Sequence, residues 1–145
     1  MDSQQELIRL IEEQIGIEKE SAAKLVETEK KVGTASAKVL LAEIRMDSQK
    51  HAGVLEAIRD CLKEDPSPKS HWQRAFGVFV DPIIVKREIE SHKALGKSMQ
   101  THLHREMART KDQTLLSLLG HLVQDEIRHM QTLDTIAREC DRMIR

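Results

Sequence analysis

Tyrosine is absent from this 145-residue chain, and one tryptophan and two phenylalanines are its only aromatic residues. The missing phenol removes a side chain that could carry radical redox chemistry, which counts against an oxidase. Only three prolines and six glycines interrupt a sequence dominated by Ala, Leu, Ile, Glu, Lys, Arg and Gln. Those residues lose little rotamer freedom on a helix, so the composition points to one small all-α domain spanning 1–145. A formal net charge of -1 supplies no basic face for nucleic acid and no acidic tail. No run of 18 apolar residues exists to span a membrane. The N-terminal MDSQQELIRL lacks the basic-then-apolar layout of a signal peptide, so the expected location is cytoplasmic. No Gly-rich phosphate loop, Cys-x-x-Cys pair or nucleophile-and-base arrangement is evident, so no nucleotide cofactor is expected and enzymatic turnover is not implied. Cys61 and Cys140, the two cysteines, fall near the ends of the second and fourth helical patterns. They read as reduced thiols, with a disulfide as the geometric alternative.

What is present is helical periodicity in four long stretches. Ile8, Ile11, Ile15, Ala22, Leu25 and Val32 follow the spacing of one buried stripe, and Lys30, Lys31 and Gly33 supply a cationic last turn and a left-handed stop. Thr34 or Ser36 caps a second helix that buries Ala37, Leu40, Leu41, Ile44, Leu55, Ile58 and Leu62, and Pro66 and Pro68 end it. Asp81-Pro82 starts a third with Val85, Ile89, Leu95, Met99, Leu103 and Met107 on its apolar side. Asp112 caps the fourth, which carries Leu115, Leu119, Leu122, Leu133, Ile136 and Ala137. Met99, Met107, Met130 and Met143 read as core filler. Short links make two antiparallel hairpins, 1–62 and 83–145, and the crossover 63–82 is long enough to run the length of a bundle. The expected fold is an antiparallel four-helix bundle with one long crossover. Trp72, Phe76 and Phe79 all lie in that crossover, where they either anchor a short helix or form the contact of a homodimer.

The two hairpins resemble each other. Met46–Ile58 reads MDSQKHAGVLEAI, and Gln124–Ile136, 78 positions later, reads QDEIRHMQTLDTI. Asp47/Asp125, His51/His129, Leu55/Leu133 and Ile58/Ile136 are identical, with Lys50/Arg128 and Glu56/Asp134 matched in charge. At the same offset Ile11-Glu12 matches Ile89-Glu90, Lys19 matches Lys97, Leu25 matches Leu103, and Leu40-Leu41 matches Leu118-Leu119. The second segment contains Glu126-x-x-His129; the first has Ser48 where that Glu would stand.

Two helical hairpins, a long crossover and the Asp125-Glu126-Ile127-Arg128-His129 segment in the last helix resemble the ferritin and rubrerythrin superfamily over nearly the whole chain. The resemblance implies a ferritin-like bundle and a di-iron centre. Its ligands would be one Glu on each of the first and third helices and a Glu-x-x-His on each of the second and fourth. Counting the family's 36 residues back from His51 and His129 lands on Ile15 and Lys93. Only His51, Glu126 and His129 of the six ligands remain, too few carboxylates to balance two divalent cations.

Two alternatives follow. A single iron or zinc could be held by His51, Glu126 and His129 with His92 or Glu18 as a further ligand. Otherwise these groups form a metal-free polar network in a structural or protein-interaction module, with Lys93 pairing Glu126 in the metal's place. His102 and His104 point to different sides of their helix, and His71 and His121 read as solvated or singly hydrogen-bonded.

Overall fold

The computed structural model describes residues 2–64 and 81–144. The crossover aromatics Trp72, Phe76 and Phe79, together with Pro66, Pro68 and His71, lie outside the described residues, as does the side chain of Met143. Four helices account for 92% of what is described, and no strand occurs among those residues. They are α1 (Ser3–Lys31), α2 (Ala35–Glu64), α3 (Pro82–Met107) and α4 (Gln113–Ile144). Two compact units result, α1 with α2 and α3 with α4. No helix among the described residues is long and apolar enough to cross a membrane.

Each helix start has a polar residue that satisfies exposed backbone donors. Asp2 and Gln5 form a reciprocal capping box on α1. Thr34 Oγ1 accepts from the Ala37 amide at 3.3 Å, so Thr34 rather than Ser36 caps α2. Asp81 Oδ1 accepts from Ile83 N with Pro82 in the first turn, and Asp112 Oδ1 accepts from Leu115 N, both at 3.0 Å. The end of α1 differs from expectation. Val32 leaves the helix in an extended conformation, φ -87° and ψ 142°, and no glycine among the described residues has a positive φ. A β-branched residue adopts that region readily, so Gly33 is not needed as a left-handed stop.

The seam of the first hairpin holds Ile11, Ile15, Ala22, Ser48 and Ala52; that of the second holds Ile89, Gly96, Val123, Ala137 and Cys140. Part of the expected core is instead exposed: Leu40 and Ile44 on α2, Leu95 and Met99 on α3, Leu115 and Leu122 on α4. Two helices share a seam only about one side chain wide, narrower than the apolar stripe of either helix. Cys61 is exposed and Cys140 is 1% exposed; both are free thiols.

Ion pairs cross each seam. In the first hairpin Lys63 reaches Glu12 and Lys19 reaches Glu56, each at 2.7 Å, and nearer the turn Arg45 Nε meets Glu29 at 2.8 Å. In the second, Lys86 meets Asp141 at 2.5 Å and Lys93 meets Asp134 at 2.7 Å. The Lys93 hydrogen bond holds the Asp134 carboxyl below its ordinary 3.8, and the Asp134 hydrogen bond raises the Lys93 ammonium above its ordinary 10.5. Asp134 therefore contributes stability that is present above pH 3.8 and lost as pH falls through the lowered value. Lys93 contributes stability that is present below pH 10.5 and lost as pH rises through the raised value. Thermal melts across pH are expected to show both limbs, and Asp134→Asn should flatten them; unchanged limbs would place their origin elsewhere.

Candidate functional site

Glu18 and His51 face each other across the first hairpin. His51 Nδ1 stands 3.5 Å from Glu18 Oε1, with the carboxylate side chain 16% exposed and the imidazole 55%. Gln14 Nε2 also donates to Glu18 Oε1 at 3.2 Å. In the second hairpin His129 Nδ1 stands 3.4 Å from Glu126 Oε1, with exposures of 57% and 17%. This pair lies one turn apart on α4, as Glu-x-x-His spacing requires. Each hairpin thus holds one half-covered carboxylate beside one half-open imidazole.

The acid has changed helices between the hairpins. At the repeat offset, Glu18 on α1 corresponds to Gly96 on α3, and Ser48 on α2 corresponds to Glu126 on α4. Both substituted positions are buried. The exchange is steric as well as electrostatic: a Cβ at Gly96 would stand 2.8 Å from Met130 Sδ and 3.8 Å from Glu126 Oε2. Glycine at 96 is what lets those two side chains lie over α3.

Lys93 does not serve Glu126. Its ammonium pairs with Asp134 at 2.7 Å and stands 3.9 Å from Glu90 Oε1. His92 beside it is exposed. Ile15 is 5% exposed in an apolar seam. A carboxylate-bridged iron pair therefore does not fit these residues, because Ile15, Ser48 and Lys93 take three of its four carboxylate positions and Lys93 is a committed cation. Among the described residues, no three His, Cys, Asp or Glu side chains gather as a metal-binding group.

An open, mainly apolar groove of about 610 Å³ runs along the second hairpin, with Leu95, Met99 and His102 from α3 and Leu122, Glu126 and His129 from α4 on its walls. His102 is engaged with Glu106 at 3.0 Å, and Asp125 pairs with Arg128. At the repeat offset, α1 of the first hairpin borders a smaller recess of about 390 Å³, lined in part by Ile17, Ser21, Lys24 and Leu25. Ser21 stands where the second hairpin has Met99, and Ala52 where it has Met130.

The Glu126–His129 pair is readable from sequence, and Glu18 is readable as an acid on a buried stripe. No sequence motif ties Gly96, Met130 and Asp134 together. The signals were the charge-matched Glu56/Asp134 positions and a glycine opposite a methionine; the Lys19–Glu56 rung maps by the repeat onto Lys97, whereas Lys93 makes the contact. Comparison of the chain with protein-family models, curated proteins and solved structures finds no match.

Proposed function

We propose that the protein is a metal-binding helical protein of ferritin and rubrerythrin type, holding one divalent ion, iron or zinc, with Glu18, His51, Glu126 and His129 as donors. The two hairpins are taken as halves of an antiparallel four-helix bundle, acting in the cytoplasm as a homodimer in iron or oxidative-stress handling. The observation that carries this reading is the duplicated pair of a half-covered carboxylate and a half-open imidazole. Two oxygen and two nitrogen donors suit a single four-coordinate zinc or iron, and two carboxylates balance its charge. Ala35 and Gln113, the first residues of α2 and α4, lie 78 positions apart, which supports a common hairpin design. His92 is then unnecessary, since Glu18 supplies the fourth donor.

A second reading is a metal-free interaction module. It is favoured by the Glu–His distances themselves, because His51 and His129 stand close enough to partner Glu18 and Glu126 without an ion.

Tag-free protein, loaded anaerobically with Fe(II) or Zn(II) and desalted, is expected to retain about one equivalent by elemental analysis. His51→Ala and His129→Ala should each weaken binding by more than about 100-fold, beyond the 10–100-fold typical of outer-shell changes. Retention below about 0.2 equivalents would rule out the metal reading in favour of the module.

A further inference from the structure

We propose that the second hairpin alone binds a soft monovalent cation of the Cu(I) or Ag(I) class through the thioethers of Met99 and Met130 with His129, beside the Glu126 carboxylate. The donors come from one hairpin, so the site needs nothing from the first. It shares Glu126 and His129 with the divalent site proposed above but does not depend on that reading.

Three observations converge. Met130 Sδ and Glu126 Oε2 lie over the same point of α3, the one Gly96 leaves open. Met99, one turn beyond Gly96, shares a groove wall with Glu126 and His129. Met99 is also 47% exposed, so its thioether is within reach of an ion from solvent. Thioethers are soft donors that select Cu(I), and imidazole accepts it as well. Met99 offers its sulfur from the groove wall and Met130 from its place over Gly96 beside Glu126 Oε2, and the three rotatable bonds of methionine let the two thioethers converge.

Charge favours a monovalent ion. Asp125 is paired with Arg128 and His102 with Glu106, which leaves the single Glu126 carboxylate facing the groove. One carboxylate neutralises one positive charge, whereas a divalent ion would remain half-balanced in a mainly apolar recess. The first hairpin provides an internal contrast, since Ser21 and Ala52 replace both thioethers at the equivalent positions.

The test uses the full chain with Cys61→Ser, because the exposed thiol would itself capture the ion. Cu(I) is titrated anaerobically against a chromophoric chelator, and the methionine methyl resonances are followed by NMR as Ag(I) is added. Expected are one tight equivalent, shifts at Met99 and Met130, and at least about a tenfold loss of affinity in Met99→Leu/Met130→Leu. Those isosteric changes should preserve helicity by circular dichroism and leave Zn(II) and Fe(II) uptake unaltered, which separates this site from the divalent one. Affinity that disappears with Cys61→Ser, or that survives the double Met→Leu change, would overturn the proposal.

Discussion

Ile15→Ala is expected to destabilise the first hairpin by about 3 kcal/mol, the middle of the range for deleting a buried isoleucine to alanine. In a unit of this size that lowers the thermal midpoint by at least about 10 °C. The cost comes from lost transfer energy plus an unfilled cavity, because Ile15 is 5% exposed in a seam of few large side chains. The other residues buried in that seam are Ile11 and the small side chains Ala22, Ser48 and Ala52, so little bulk is at hand to fill the gap. The informative control is Ile17→Ala. Ile17 is 58% exposed two positions along the same helix, and its loss should stay within about 0.5 kcal/mol. Equal losses at both positions would mean that the burial of α1 does not follow this seam.

Lys93→Glu should have a qualitatively different effect. The substitution installs the acid that a ferritin-like ligand pattern calls for, yet it would face Asp134 and Glu90 instead of a metal. The native ammonium holds Asp134 below its ordinary value; three carboxylates together would push it above. A raised carboxyl pKa reverses the linkage: the variant loses stability as pH rises through that value and regains it when acidified. The midpoint of the variant, relative to that of the native protein, should therefore rise as pH falls from 7 to 3. A pH-independent difference would show that Lys93 and Asp134 are not coupled.

The helix starts were legible because capping chemistry is local. Thr34, Asp81-Pro82 and Asp112 do in the structure what their positions in the sequence announce. The stop at Val32 was less legible, since an extended exit competes with a glycine turn and both fit the same residues. The core was legible in part. Periodicity identified Ile11, Ile15, Ala22, Ile89 and Ala137 as buried, but it also marked Leu40, Ile44, Leu95 and Leu122, which are exposed. An apolar stripe reveals which way a helix faces, not how wide a partner covers it. In the site, His129 and Glu126 were readable from the internal repeat and the Glu-x-x-His pattern of the family the chain resembles. The Lys93–Asp134 pair was not, because choosing between Glu126 and Asp134 requires the antiparallel offset of α3 against α4.

That offset is guarded differently in the two hairpins. The rungs of the first alternate in sign: α1 offers Glu12, then Lys19, then Glu29, and α2 answers with Lys63, Glu56 and Arg45. Sliding α1 by one heptad would bring Lys19 against Lys63, so the misaligned hairpin is repelled. The rungs of the second do not alternate. Both lysines are on α3 and both aspartates on α4, and the same slide would bring Lys93 against Asp141 with charges still opposite. Charge proofreads the first hairpin but is blind to this error in the second. There the discriminating feature is steric: only the native alignment sets Met130 over the bare backbone of Gly96, and any slip would drive that methionine against a side chain.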